Sequence, residues 1–277
     1  MLGLLLAAAL AVPPGPVAGQ PGPPAAAPPV PTAPPSEMLR RYPAPEARQG
    51  VAVDANHFYA VDDSRIAKYD KATGRKVAEW TGDPAKFPHL NSCEVIGAEL
   101  VCASSNYPQL PMSSSVEVFD PIRMVHLRSV ALGQQPGSLT WVDRKDGFWW
   151  AVFANYDGRG GEPGRDHSQT ILVQFDDAWR RRASWRFPQS VLNRFAPRSS
   201  SGGGWGDDGL LYVTGHDQPE LYALRVSADS PTLEHVATIP IQVEGQAVAW
   251  DRSRPHVLFG ISRARREVVA MRPPTLR

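Results

Sequence analysis

Two histidines stand where an imidazole can take part in proton transfer. His216 and Asp217 directly follow the apolar run LYVTG, and His89 comes just before the run that begins at Leu90. An imidazole titrates near neutral pH, and a carboxylate partner orients it and stabilises its charged form. We therefore expect His216 or His89 to act as general acid or base, with Asp217 as the partner of His216.

Arginines near the same turns supply the second chemical feature. A guanidinium binds a carboxylate through two parallel hydrogen bonds, and we predict that Arg48 and Arg263 clamp a substrate in this way. Arg198 and Arg265 are further candidates for the clamp. The other predicted substrate-binding residues are polar side chains at the turns: Gln49, Asn91, Asn155, Tyr156 and Gln246.

Carboxylates near these turns also allow a metal site. Glu46 and Glu244, with Asn155 and Asp217, would offer the oxygen ligands that Ca²⁺ prefers. Nothing in their spacing demands a metal, since any ring of loops brings carboxylates together. We therefore expect no required cofactor, and keep calcium as the alternative.

The composition excludes several classes of function. Lysine and arginine total 29 and acidic residues 28, so the net charge of +1 gives no broad surface for nucleic acid. There is no G-x-S-x-G string for a nucleophilic serine, and the glycines at 158–164 do not lead a strand into a helix. A small-molecule ligand and a monomeric protein are the expectation.

These residues are positioned by a repeat. The strings QGVAVD (49–54), GSLTWVD (137–143) and QAVAWD (246–251) share one pattern, and NSCEVIG (91–97) and GGGWGDDG (202–209) are weaker copies. Each copy is followed by short β-branched or aromatic runs that are bounded by turn residues, which is typical of strands. Units of this length with up to four strands each indicate blades of a β-propeller.

We predict an all-β protein, a β-propeller of five four-stranded blades. The last unit lacks a fourth strand, and MLRRYPA (38–44) is an unpaired strand that would complete it from the N-terminal side. Six blades are less favoured because the unit from 138 to 202 is too short for two. A β-sandwich is the other alternative.

Propeller topology sorts the turns onto two faces. Connections between blades lie on one face together with the turns between second and third strands, and propeller ligands usually bind there, over the central channel. This predicted site face gathers the segments 46–49, 87–91, 133–138, 195–203, 243–246, 62–65, 104–115, 154–169, 216–220 and 262–266.

The two cysteines flank one predicted hairpin. If Gly97-Ala98 forms a two-residue turn, Cys93 and Cys102 lie directly opposite each other, within reach of a disulfide bond. A secreted protein would form this bond, and a cytoplasmic one would hold two buried thiols.

The N-terminal region indicates export. The apolar run MLGLLLAAALAV is too short to span a bilayer but fits a signal peptide, which we assign to residues 1–19. A Pro/Ala-rich disordered linker is predicted at 20–36, and the propeller domain covers 37–277. We expect a secreted or periplasmic protein with no membrane span; the alternative is a disordered Ala/Pro leader.

Four segments carry a resemblance to a known group of proteins. They are RRYPAPEARQGVAVD (40–54), KYDKATGRKVAEW (68–80), GSLTWVDRKDGFWWAVFANY (137–156) and LYVTGHDQPELY (211–222). Over most of residues 38–272 the chain resembles secreted bacterial β-propeller proteins that are often labelled cycloisomerases, by distant likeness to the propeller muconate-lactonising enzymes. The resemblance implies a propeller fold and a cycloisomerase-like activity, and it assigns no site residue.

Two functions are compatible with this sequence. The first is an enzyme of cycloisomerase or lactonase type for a carboxylated substrate, which needs a cation to hold the carboxylate and a proton donor. The second is a non-catalytic propeller that binds a sugar, a peptide or an envelope protein.

Overall fold

The short apolar runs of the sequence become strands in the structure, a computed structural model that describes residues 30–276. In chain order the strands are β1 (Glu37–Pro43), β2 (Gly50–Val53), β3 (His57–Asp62), β4 (Arg65–Asp70), β5 (Lys76–Thr81), β6 (Leu90–Ile96), β7 (Glu99–Ser105), β8 (Ser114–Asp120), β9 (Val125–Gly133), β10 (Ser138–Lys145), β11 (Phe148–Ala154), β12 (Ile171–Phe175), β13 (Arg181–Arg186), β14 (Gly202–Trp205), β15 (Leu211–Thr214), β16 (Glu220–Arg225), β17 (Glu234–Pro240), β18 (Val248–Trp250), β19 (Leu258–Ser262) and β20 (Glu267–Arg272). The helices of the described part are α1 (Gln189–Phe195) and a 3₁₀ turn (His167–Gln169).

The strands form five antiparallel sheets of four, one for each predicted blade. Blade 1 is β2-β3-β4-β5, blade 2 is β6-β7-β8-β9, blade 3 is β10-β11-β12-β13, and blade 4 is β14-β15-β16-β17. Blade 5 has the order β18-β19-β20-β1, so its outermost strand comes from the N-terminal side of the domain. The predicted five-bladed propeller is confirmed.

The pairing of β1 with β20 closes the ring. The two strands run antiparallel, with Tyr42 opposite Val268 and Met38 opposite Met271. The inner strands β2, β6, β10, β14 and β18 each contact the next, and β18 contacts β2. Because the ring is closed, every blade packs against a neighbour on both sides.

Residues before β1 also contact the propeller. Thr32 forms a parallel bridge with Thr238 of β17, and the backbone N–H of Ser36 donates to the carbonyl of Pro240 at 2.9 Å. The last part of the predicted linker therefore lies along blade 4. The predicted signal peptide (1–19) and linker residues 20–29 lie outside the described residues.

The apolar core lies between neighbouring blades. Phe58 of blade 1 and Phe259 of blade 5 pack in one buried cluster, and each of the other blade boundaries in the described structure has its own cluster. Trp141, which lies on the inner strand of blade 3, is fully buried. Burying aromatic side chains between sheets stabilises the ring and fixes the angle at which the blades meet.

The cysteine prediction is confirmed. Cys93 pairs with Cys102 across β6 and β7 and forms a disulfide bond with a Cα–Cα distance of 4.0 Å. The connecting turn is made by Gly97, whose φ of 62° suits glycine. Among residues 30–276, no helix combines the length and the apolar character needed to cross a membrane.

A buried ion cluster connects residues from several blades. It lies away from the predicted site face. Glu94 of β6 and Asp143 of β10 are both almost fully buried and share one cation, Arg252, which follows β18. The guanidinium lies 3.1 Å from Oδ2 of Asp143 and 3.4 Å from Oε1 of Glu94, and it donates to the carbonyl of Trp205 at 2.6 Å. Burial and the charge of Asp143 raise the pKa of Glu94 well above its usual value.

Candidate functional site

A cavity of about 400 Å³ opens on the predicted site face, and all five blades contribute to its wall. The inner-strand side of each blade supplies one lining residue: Gln49, Asn91, Thr140, Ser201 and Gln246. The cavity therefore lies over the central channel. Apart from Thr140, every lining residue belongs to the segments that propeller topology assigns to this face.

The structure brings together most of the predicted site residues. Those that line the cavity are His89, His216, Arg48, Arg198, Arg263, Gln49, Asn91, Tyr156 and Gln246. They come from loops that are far apart in sequence but adjacent in the ring. The predicted residues outside the lining are Asp217, Asn155, Arg265, Glu46 and Glu244.

His89 forms an acid–imidazole pair that the sequence did not predict. Its Nδ1 lies 2.8 Å from Oδ1 of Asp63, which also accepts a hydrogen bond from the side-chain amide of Gln49 at 3.0 Å. Burial acts to raise the pKa of Asp63. The hydrogen bonds from His89 and Gln49 and the charge of Arg48 outweigh it, so that pKa lies below its usual value. Asp63 is therefore ionised at neutral pH, and its contact with Nδ1 fixes the orientation of the imidazole.

His216 has the predicted partner. Its Nδ1 lies 2.5 Å from Oδ1 of Asp217, although Asp217 itself is more than half exposed and lies outside the cavity wall. The backbone carbonyl of His216 accepts a hydrogen bond from the side chain of Gln246 at 3.2 Å. The site thus contains two imidazoles, each with a carboxylate on its Nδ1 side.

Two tyrosines from the long loops form one wall. The ring of Tyr107 lies 5.2 Å from that of His89 and 5.2 Å from that of Tyr156. Burial and the neighbouring Tyr107 raise the pKa of Tyr156 well above its usual value, so its phenol stays protonated. The loops 104–115 and 154–169 also touch each other, because the N–H of Met112 donates to Glu162 at 2.9 Å.

Gly160 makes the contact between these loops possible. A Cβ on Gly160 would lie 2.2 Å from Cε2 of Tyr107, and the φ of Gly160 is 78°. Both the close approach and the backbone conformation require glycine. The neighbouring Arg159 is thereby held at the cavity wall.

The cavity carries a strong positive charge. Its lining contains four arginines (Arg48, Arg159, Arg198 and Arg263) and only one carboxylate, that of Asp63. Arg48 lies 3.5 Å from Asp62, but Asp62 also binds Arg65 at 3.0 Å. Within the described residues, the other three lining arginines form no ion pair. Such a field attracts and orients an anionic ligand.

Arg159 was missed because sequence alone does not show which side chain of a glycine-rich loop faces inward. Arg198 was predicted as a clamp candidate, but the helix before it was not, because the seven residues of α1 are too few to give a helical pattern in the sequence. Val191, Leu192 and Phe195 of α1 are buried, and the backbone N–H of Arg198 donates to the carbonyl of Phe195 at 2.8 Å. The helix therefore sets the position of Arg198.

Asn155 does not line the cavity. It is fully buried, and its side-chain amide donates to the carbonyls of Pro136 at 2.7 Å and Gln169 at 3.1 Å. Its role is to tie both ends of a long loop to blade 3. The prediction of Asn155 as a substrate-binding residue is not supported by this placement.

The predicted metal ligands are not brought together at the channel. The buried carboxylate of Glu46 accepts hydrogen bonds from the hydroxyl of Tyr69 at 2.5 Å and from Lys76 at 3.0 Å. The carboxylate of Glu244 accepts a hydrogen bond from the hydroxyl of Ser262, at the end of β19, at 3.3 Å. In residues 30–276, the cluster with three suitable ligands is Asp157, Asp166 and His167, on the surface of a long loop.

Comparison with known proteins gives similarity of fold only. No protein-family model and no curated protein matches the chain. Similar solved structures include a luciferin-regenerating enzyme, with 12% identity over 87% of this chain and 95% of that chain and a TM-score of 0.48. A mitotic checkpoint complex is similar at 11% identity over 92% and 98%, with a TM-score of 0.47. A protein of unknown function from Bacteroides caccae is similar at 12% identity over 71% and 60%, with a TM-score of 0.40.

Proposed function

We propose that the protein is a secreted or periplasmic enzyme that acts on a small carboxylated molecule, with chemistry of the cycloisomerase or lactonase type. The observation that carries the proposal is the set of lining arginines around two imidazoles in one axial cavity, each imidazole being paired with a carboxylate. The disulfide bond and the predicted signal peptide support export.

The arginines would bind the substrate. Arg48 and Arg263 come from neighbouring blades and line the same cavity, so they can hold one carboxylate by forked hydrogen bonds. A cationic wall also stabilises negative charge that develops on oxygen during the reaction.

The histidines would move the proton. In a cycloisomerase, one substrate carboxylate oxygen forms a C–O bond with an alkene carbon, and the other alkene carbon takes a proton from the imidazolium of His89 or His216. In a lactonase, the same imidazole in its neutral form takes a proton from water as the water oxygen attacks the lactone carbonyl. The proton then passes to the alcohol oxygen as its bond to carbon breaks. Asp63 and Asp217 would orient the rings and stabilise their charged forms.

The first experiment is a thermal-shift screen of diacids, lactones and sugars, each with calcium and with EDTA. Binding to the folded state alone raises the melting temperature. Compounds that shift it are then tested for turnover by the wild type, His89→Gln and His216→Gln. Loss of turnover in one histidine variant supports the proposal, and unchanged turnover in both would exclude these roles.

A non-catalytic sugar-binding propeller is the second candidate, and the amide side chains favour it. Gln49, Asn91 and Gln246 each donate within the protein, to Asp63, to the carbonyl of Leu139 and to that of His216. Within the described residues none of their side-chain oxygens accepts a hydrogen bond, so these oxygens are acceptors for sugar hydroxyls. Melting shifts with sugars alone, without turnover of any acid or lactone, would select this candidate.

A further inference from the structure

We propose that Arg159 and Arg198 form a second oxyanion subsite, across the cavity from Arg48 and Arg263. The ligand would then carry an anionic group at each end. The inference rests on the proposed function, because it names the second charged group of the same ligand.

The four arginines fall into two pairs around the ring. Arg48 precedes the inner strand of blade 1 and Arg263 begins the β19–β20 turn of blade 5, so this pair lies where blades 5 and 1 meet. Arg159 lies on the β11–β12 loop of blade 3, and Arg198 lies on the connection to blade 4. In a ring of five blades, the boundary between blades 3 and 4 is as far as any boundary can be from the one between blades 5 and 1. The two pairs of arginines therefore lie on opposite sides of the channel.

Hydrogen bonds hold the loops of each pair together. In the first pair, the guanidinium of Arg266 donates to the carbonyl of Pro45 at 3.0 Å, and the N–H of Ala44 donates to the carbonyl of Arg266 at 2.9 Å. These bonds join the turn that carries Arg263 to the segment that carries Arg48.

The second pair is joined in the same way. The N–H of Asp157 donates to the carbonyl of Pro197 at 3.1 Å, and the hydroxyls of Thr170 and Ser199 lie 2.5 Å apart. The loop of Arg159 and the loop of Arg198 are therefore one unit. Two guanidinium groups carried by such a unit can converge on one oxyanion.

The charges of the second pair are not neutralised by the protein. Within residues 30–276, neither Arg159 nor Arg198 forms an ion pair. The nearby loop carboxylates have other partners: Asp157 contacts His167 at 2.8 Å, and Glu162 contacts Arg165 at 3.2 Å. Two like charges on one wall repel each other until an anion lies between them.

The histidines lie between the two pairs. His89 stands on the connection from blade 1 to blade 2, and His216 stands on the β15–β16 turn of blade 4. One is thus on each side of a ligand that spans from pair to pair. Such a ligand would present its central atoms to the imidazoles, while each end is bound as a carboxylate or a phosphate.

The test measures affinity by calorimetry at low salt, with adipate, hexanoate, 6-phosphonohexanoate and inorganic phosphate as probes. Wild type should bind adipate or 6-phosphonohexanoate at least tenfold more tightly than hexanoate, and the preferred probe identifies the second group. Arg159→Gln and Arg198→Gln should each reduce this preference to less than threefold while changing the hexanoate affinity less than twofold. Arg182→Gln is the matched control and should change nothing, because Arg182 lies in the outer strand β13, next to the β12–β13 turn on the opposite face, and does not line the cavity.

The outcomes separate the two proposals. Equal binding of hexanoate and adipate by wild type, or a preference that survives both substitutions, would overturn the second subsite and leave the carboxylate site intact. Binding of phosphate that depends on Arg159 and Arg198, with no binding of any carboxylate, would support the subsite and overturn the proposed function. Failure of every probe to bind would overturn both.

Discussion

The imidazole Nδ1 of His89 lies 2.8 Å from Oδ1 of Asp63, and the two residues come from different blades. Asp63 stands at the β3–β4 turn of blade 1, and His89 directly precedes the first strand of blade 2. The pair therefore exists only when the two blades are packed together. It connects the stability of this blade boundary to the geometry of the cavity.

Stability at acid pH should depend on Asp63. Because the folded-state pKa of this carboxyl is below its usual value of 3.8, the ionised form stabilises the fold above that pH. The contribution is lost as pH falls through the lower folded-state pKa. Urea unfolding of wild type and Asp63→Asn should show wild type more stable at pH 5 to 6, with the difference shrinking below pH 4. A constant difference at all pH values would contradict this.

Removing Arg252 should destabilise the fold. Arg252→Met leaves the buried acidic side chains of Glu94 and Asp143 without their shared cation. We expect a loss of about 3 kcal/mol in the free energy of unfolding, the lower end for breaking a buried pair, because Arg252 is partly exposed. Arg225→Met is the control, since it breaks a surface pair with Glu234 and should cost less than about 1 kcal/mol. Similar losses in both variants would show that the buried cluster has no special role.

Glu94 should make the protein less stable as pH rises. Its folded-state pKa is raised above the usual value of 4.5, so the native state binds more protons than the unfolded state above that pH. Stability should fall as pH increases from about 4.5 toward the folded-state pKa. Glu94→Gln should flatten this slope in urea unfolding between pH 5 and 8. A slope unchanged by the substitution would assign the pH dependence to other groups.

Gly160→Ala should weaken ligand binding beyond its effect on stability. The new Cβ would collide with Tyr107 and displace the loop that carries Arg159. The matched control is Gly164→Ala, because Gly164 has nearly the same φ, 77° against 78°, and nothing within 4 Å of the added Cβ. Both variants should lose about 1 kcal/mol of stability from backbone strain, and Gly160→Ala should lose more than Gly164→Ala because of the collision with Tyr107. Only Gly160→Ala should lower the affinity for adipate, by tenfold or more in calorimetry; equal affinities would contradict the role of the Tyr107 contact.

The disulfide bond should be fully formed in the native protein. A thiol assay on unreduced, denatured protein should find no free thiol, and two after reduction. Because Cys93 and Cys102 are separated by only 9 positions within one hairpin, replacing both by Ala should cost at most about 3 kcal/mol. Two free thiols in protein isolated from its native compartment would count against export.

The face that carries the cavity could be predicted from the sequence because a propeller maps strand order directly onto position. Once the repeat beginning at Gln49 and Gln246 is recognised, each turn belongs to one face or the other. His89, His216, Arg48 and Arg263 were placed on the cavity side by this argument alone. The hairpin of Cys93 and Cys102 was predictable for the same reason, since a two-residue turn fixes the strand register.

The direction and partner of each side chain were decided by the tertiary structure. Asn155 and Glu46 lie in segments assigned to the site face, yet one binds backbone carbonyls and the other binds Tyr69 and Lys76. Arg159 faces the cavity because Gly160 lets its loop pack on Tyr107. These contacts join residues from different blades and loops, and their geometry depends on atomic distances that no sequence period encodes. The repeat therefore determined the blades and the face, and the packing of blades and loops decided which side chains form the site.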